Sequence, residues 1–223
     1  MSAIAQNIRK FRQIVPPGVE IVAVSKFHPA SMIMEAYEAG QRNFGESRVQ
    51  EFVEKERELP KDIRWHFIGH LQTNKVKAVI GKTSLIESVD SERLLELIDR
   101  ESEKAGVITN VLLQVHVAAE EAKFGFFPEE LKAYFESGKF VGLKATKICG
   151  LMGMATNTDD VERIRNDFSR IHTLFEEVRS LYSEQLPEFT KLSMGMSGDW
   201  EIAMEEGSNI VRIGSAIFGE RNY

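Results

Sequence analysis

Apolar and polar positions alternate in two registers along this chain. Short β-branched runs, such as IVAV at 21–24, suit strands buried on both faces of a parallel sheet. Between them, apolar residues recur every three or four positions, the spacing of amphipathic helices. The pattern predicts helices over 2–14, 29–40, 46–58, 71–80, 92–105, 128–137, 159–184 and 199–206, with a last short helix from Ser215. Strands are predicted over 21–25, 43–45, 63–67, 84–87, 110–117, 146–151, 189–193 and 209–213. The helix over 159–184 carries the longest periodic face, with Val161, Ile164, Phe168, Ile171, Phe175 and Val178 in 3/4 spacing. Breakers fall between elements: Pro16, Pro17 and Gly18, then Gly40, Pro60, Gly81 and Gly106, while Ser91 is placed to cap the helix that follows it.

Strictly alternating strands and helices imply parallel pairing with right-handed crossovers. Eight such units without a linker predict one domain over 1–223, a (β/α)8 TIM barrel preceded by an extra N-terminal helix. The rival is an open doubly wound sheet, and the chain lacks the GxGxxG after its first strand that would favour it.

Composition narrows the setting. The 223 residues carry a net charge of −6, with no basic surplus to attract nucleic acid or an anionic membrane. One cysteine, Cys149, excludes an intrachain disulfide and favours a reducing compartment. The N-terminal stretch is charged and lacks the apolar core of a signal peptide, and no run approaches the ~20 apolar residues of a membrane span. A cytoplasmic protein is expected.

Candidate chemistry lies at strand ends, which a barrel gathers into one ring. Lys26 follows the first strand, at the mouth of an apolar interior where desolvation can expose a neutral amine. A surface lysine that merely ends a strand is the alternative. After the seventh and eighth strands, Ser197–Gly198 and Gly214–Ser215 each precede a helical start, where barrels often hold phosphate. Ordinary caps and turns would look the same in isolation. An amine facing a phosphate cradle suits an aldehyde-bearing phosphate held as a Schiff base; pyridoxal 5′-phosphate and the sugar phosphate of a class I aldolase both qualify. Arg212, two residues before Gly214, favours the former: a permanent cation facing a pyridine nitrogen keeps that nitrogen unprotonated.

At these residues the chain resembles the pyridoxal phosphate homeostasis proteins, over nearly its full length. The resemblance rests on VAVSK (22–26), NFGE (43–46), RVQE (48–51), WHFIGHLQTNK (65–75), SVDS (88–91), KFGF (123–126), GLMGMAT (150–156), LSMGMSGDWEIA (192–203) and VRIGSAIFGER (211–221). It implies a barrel like the N-terminal domain of alanine racemase, with the cofactor lysine at Lys26. It implies phosphate contacts at Ser197, Gly198, Gly214 and Ser215, a ring-nitrogen partner at Arg212 and a polar contact at Asn43. Ser47 departs from the family's usual asparagine, and the loop before Lys123 from its usual asparagine-and-glycine form, so no role is carried over to either.

The resemblance further implies a non-catalytic role in vitamin B6 homeostasis, with apo-enzymes as recipients of the cofactor. The alternative is an amino-acid racemase, which needs a second acid/base on the far side of the ring. In alanine racemases that base is a tyrosine from an added β domain; here the sequence stops at Tyr223, and Tyr37, Tyr134 and Tyr182 fall in predicted helices. A monomer is expected. His66 and His70 are four apart, but Gly69 and the strand before it argue against a helical metal site, so no metal is expected and His66 is expected to point into the barrel or to hydrogen-bond near its mouth. Met152, Met154, Met194 and Met196 are expected around the mouth as packing.

Overall fold

A computed structural model describes residues 2–120 and 124–220. The elements run α1 (Ala3–Ile14), β1 (Glu20–Val24), α2 (Ala30–Glu38), β2 (Asn43–Glu46), α3 (Val49–Glu58), β3 (Arg64–Phe67), α4 (Val76–Val79), β4 (Leu85–Val89), α5 (Glu92–Ala105), β5 (Thr109–Val115), α6 (Pro128–Glu136), β6 (Thr146–Gly153), α7 (Val161–Leu181), β7 (Lys191–Ser193), α8 (Trp200–Glu205), β8 (Ile210–Ile213) and α9 (Ser215–Phe218). The strands close in sequence order into a parallel barrel, β1 pairing with both β2 and β8. The (β/α)8 barrel with an added N-terminal helix, expected from alternation alone, is what the chain forms.

Two cores result from the period-2 alternation of the strands. One, between barrel and helices, gathers outward side chains such as Ala23, Phe44, Phe67, Leu113 and Val211 with the buried faces of the helices. The other lies inside the barrel and is small: Val22, Leu85, Leu112, Cys149, Met152 and Ile210. Charged and polar groups share that interior, as described below. In β6 the register shifts beside β5 at Gly150, whose φ of 151° is open only to glycine and whose missing Cβ leaves room for the Lys191 carbonyl.

Several boundaries differ from the pattern. Glu46 completes β2, so α3 begins at Val49 instead of 46: a charged side chain in a strand reads as helix when its buried partner is distant in sequence. The helix expected over 71–80 is a 3₁₀ turn over Thr73–Lys75 followed by one turn of α4. Val161 is exposed, because it is the first residue of α7 and lies ahead of the packed face that begins at Ile164. The strand of 189–193 shortens to Lys191–Ser193.

The added helix α1 is capped by the Ser2 hydroxyl and buries Ile4, Ile8 and Phe11. Phe11 meets Trp200 of α8 edge-on at 5.6 Å, and Asn7 donates to the Ile217 carbonyl of α9 at 3.0 Å. The helix therefore braces the flank where β8 meets β1.

Candidate functional site

The loops after β1, β7 and β8 are tied together. Ala23 lies opposite Ile213 in the β1–β8 register. One step further, Gly214 packs on Val24, at a distance of 3.5 Å from an added Cβ to the Val24 Cβ. Beyond Lys26, His28 stacks on Phe218 of α9 with ring centroids 5.0 Å apart. On the other side, the Gly214 amide donates to the Ser197 hydroxyl at 3.1 Å. Ser197, Gly214 and the backbone of the Lys26 turn thus share one side of the mouth, although Lys26 stands some 170 to 190 positions before the other two in the chain. Lys26 itself sits in a turn two residues past the end of β1 and is half-buried.

This corner holds open donors. Among the described residues the amides of Ser197, Gly198, Ser215 and Ala216 donate to no protein acceptor. Such amides suit an anion. The helices behind them are only six and four residues long, so the loop amides, more than a helix dipole, carry the attraction. Asp199, expected at the start of α8, is instead its N-cap and folds back to accept the Met196 amide at 2.6 Å.

Deeper in the barrel, Arg212 and Asn43 occupy one layer. Val22 is opposite Arg212 in β8, and Ala23 opposite Phe44 in β2, which places Asn43 beside Val22. The Asn43 Oδ1 is buried and has no hydrogen-bond partner among the described residues. Arg212 is 4% exposed. One of its terminal nitrogens donates to the Ser193 carbonyl at 2.9 Å and hydroxyl at 2.6 Å, the other to the Gly153 carbonyl at 2.9 Å. These contacts use three of the five N–H bonds of the guanidinium.

A chain of charge runs from Arg212 across the interior. Ser193 donates to Glu87 Oε2 at 2.6 Å, and Arg212 lies 3.8 Å from the same oxygen. Glu87 Oε1 meets His66 Nδ1 at 2.6 Å, and His66 Nε2 meets Glu20 Oε1 at 3.0 Å. Burial works against a charged imidazole, but hydrogen bonds to Glu20 and Glu87 outweigh it and raise the His66 pKa to about 9. Burial likewise pushes Glu87 up, and His66, Arg212 and Ser193 together bring it below the usual carboxylate value. His66 does point into the barrel. Glu20, Glu87 and Ser193 were not singled out from the sequence, although a carboxylate inside the apolar run SLIESV is the signal that marks one of them.

The remaining candidates disperse. His70 is exposed, hydrogen-bonded to Asp90 at 2.7 Å and stacked on Phe124 at 3.8 Å. No group of three His, Cys, Asp or Glu among the described residues is placed to hold a metal. Met152 lines the barrel interior and Met196 is exposed, but Met194 points outward into the helix-facing core and does not line the mouth. Ser47 presents its backbone to Gly69, with no room there for a side chain. Lys123 lies outside the described residues. Among them, no helix is long and apolar enough to cross a membrane.

A closed parallel barrel with a lysine turn and an amide-lined corner at its mouth defines a class, and comparison with known proteins identifies it. The model of the alanine racemase N-terminal domain matches residues 1–222. A pyridoxal phosphate homeostasis protein of Aquifex aeolicus is 40% identical over all of this chain and 97% of its own length, and one from Mus musculus is 39% identical over 99% and 82%. Among solved structures, PipY of Synechococcus elongatus with PLP bound superposes with a TM-score of 0.89 at 39% identity, covering 97% of this chain and all of PipY. Alanine racemase of E. faecalis shares the fold at 20% identity and a TM-score of 0.74, with this chain covering 58% of it. The chain belongs to the pyridoxal phosphate homeostasis protein family, within the alanine racemase N-terminal domain superclass of barrels.

Proposed function

We propose that this chain binds pyridoxal 5′-phosphate reversibly at the barrel mouth, with Lys26 as covalent anchor through a Schiff base, and serves vitamin B6 homeostasis as a monomer that passes the cofactor to apo-enzymes. The observation that carries this reading is the joining of the Lys26 turn to the amide-lined corner at 197–198 and 214–215, through Val24 against Gly214 and His28 against Phe218. The PLP bound to PipY, a relative of 39% identity, supports the same ligand here.

The residues present fit this group. The Ser197, Gly198 and Ser215 amides suit its phosphate, as does the Gly214 amide once Ser197 turns toward the ligand. The orphaned Asn43 Oδ1 is an acceptor awaiting a donor, and the spare N–H groups of Arg212 suit the ring nitrogen. When bound, the cofactor supplies an amine-reactive aldehyde and a pyridine ring. Arg212 facing that ring stays charged and offers no proton, so the site is poor at stabilising a carbanion.

Turnover of amino acids is not expected. Tyr37 and Tyr134 lie on the outer helices α2 and α6, and Tyr182 caps α7. Tyr37 is engaged with Asp62 at 2.7 Å, and burial together with nearby Glu92 pushes the Tyr134 hydroxyl far above its usual value. None of the three is placed as a second base.

Borohydride reduction of protein loaded with the cofactor, followed by peptide mass analysis, tests the anchor. A single adduct on Lys26, absent from Lys26→Ala, is expected. An adduct elsewhere, or protein that takes up no cofactor, overturns the reading. Sustained racemisation of alanine or serine in chiral analysis would favour the enzyme instead.

A further inference from the structure

Lys26 stands between two residues that are both held from the same helix. On its N-terminal side, the Ser25 carbonyl accepts from Lys55 Nζ at 2.9 Å, and the Ser25 hydroxyl donates to Glu46 Oε1 at 2.6 Å. Lys55 closes the unit by pairing with that same Glu46 oxygen at 2.7 Å. On the C-terminal side, the Phe27 amide donates to Glu51 Oε2 at 2.8 Å, and the same oxygen takes Lys55 at 3.3 Å. The Phe27 ring lies under the Arg48 guanidinium at 4.3 Å. Glu46 and Lys55 are buried, on the outer side of β1 and β2.

The turn needs this support. Phe27 has a φ of 67°, which a residue with a Cβ adopts only at a cost of about 1–2 kcal/mol. Left to itself the backbone would relax, and the side chain preceding Phe27 would turn with it. The ion pair that prevents this carries its own desolvation cost, so it adds little net stability compared with apolar packing. Its value lies in fixing geometry. The same contacts also separate the two lysines. Lys55 Nζ is committed to Ser25, Glu46 and Glu51, and so is not an available amine although it lies beside the mouth.

We propose that Glu46, Glu51 and Lys55 are positioning residues that hold the Ser25–Lys26–Phe27 turn so that the Lys26 amine meets the aldehyde, and that their loss weakens covalent capture while leaving phosphate recognition intact. The proposal rests on the cofactor reading above. In the step concerned, the Lys26 nitrogen forms a C=N bond to the aldehyde carbon, and the carbonyl oxygen leaves as water with two protons drawn from the ammonium form of the amine. The third ammonium proton stays on nitrogen or passes to solvent. No oxidant or further reactant is required.

Two ligands separate the effects. Pyridoxal 5′-phosphate can form the bond, whereas pyridoxine 5′-phosphate carries an alcohol in place of the aldehyde and can use only the cradle. Glu51→Ala frees the Phe27 amide while Lys55 keeps Glu46 and Ser25, so folding is retained; the thermal midpoint is measured alongside. Affinity for the aldehyde is expected to fall about tenfold, the scale of one charge-assisted hydrogen bond, with a slower rate of imine formation. Affinity for the alcohol is expected to stay within twofold, and Glu51→Gln, which keeps an acceptor, to restore most of the loss. Lys55→Met is expected to act in the same direction and more strongly. Unchanged binding of the aldehyde by Glu51→Ala would overturn the proposal, as would an equal loss for both ligands, which marks a merely structural role. Failure of the cofactor reading looks different: unaltered protein would then show no reducible adduct at Lys26.

Discussion

The Ser197 hydroxyl accepts the Gly214 amide at 3.1 Å and so joins the loop after β7 to the loop after β8. The contact makes Ser197 a latch as well as a ligand candidate: a phosphate entering the corner competes with the hydroxyl for the same amide. Ser197→Ala is therefore expected to change cofactor affinity only modestly. Ser197→Asp sets a carboxylate against a phosphate at close range, and a loss of roughly a hundredfold is expected. Titration followed by cofactor absorbance checks both, and full retention by the Asp variant would show that the phosphate lies elsewhere.

Arg212 and Glu87 face each other through Ser193 inside the barrel. Removing the cation leaves Glu87 and His66 with a changed balance in a dry interior, so Arg212→Leu is expected to cost on the order of 3 kcal/mol of stability. Arg212→Lys keeps the charge but loses the fork that reaches Ser193 and Gly153 together, and should fall between the two. Denaturant titration without cofactor reads this directly.

The His66 centre predicts a pH profile. Its folded pKa of about 9 stands above the ordinary 6.5, so its stabilising contribution is complete below pH 6.5 and disappears as pH rises through 9. The size is on the order of 3 kcal/mol at 1.36 kcal/mol per pH unit. Glu20 and Glu87 are both lowered from 4.5, so their contribution is present above that pH and is lost on further acidification. The stabilising contribution of the Glu20, His66 and Glu87 cluster in the unliganded protein should be highest between about pH 4.5 and 6.5. His66→Gln should flatten the alkaline limb, and an unchanged limb would place the titration elsewhere.

Gly69 offers a test of close packing. A Cβ there would collide with the Ser47 backbone, which cannot yield as a side chain would. Gly69→Ala is expected to lower stability by about 1–3 kcal/mol and to disturb the loop between β3 and α4, measured by thermal unfolding.

Much of the barrel was legible because each strand is buried on both faces and each helix on one, so period and punctuation agree. Helix α5 follows its capping serine and C-terminal glycine to the residue, from Glu92 to Ala105. The placement of Ser197 beside Gly214 and of Lys26 next to the same corner follows from strand order, which alternation already implies. What stayed hidden were partnerships between distant polar residues. Glu46 reads as the start of a helix until Ser25 and Lys55 are seen around it, and Glu87 reads as an interruption until His66 and Ser193 meet it. Local pattern records that such a residue is charged, but not which element neutralises it.

The pairing of β8 with β1 carries a consequence for biosynthesis. Lys26 leaves the ribosome early, but the amides of 214–216 and the Arg212 fork emerge only at the end, and the corner exists once the ring has closed. A nascent or truncated chain ending before β8 would expose the amine without the cradle. With the site proposed above, loading with ligand would follow closure of the ring, and occupancy would report that the barrel is complete.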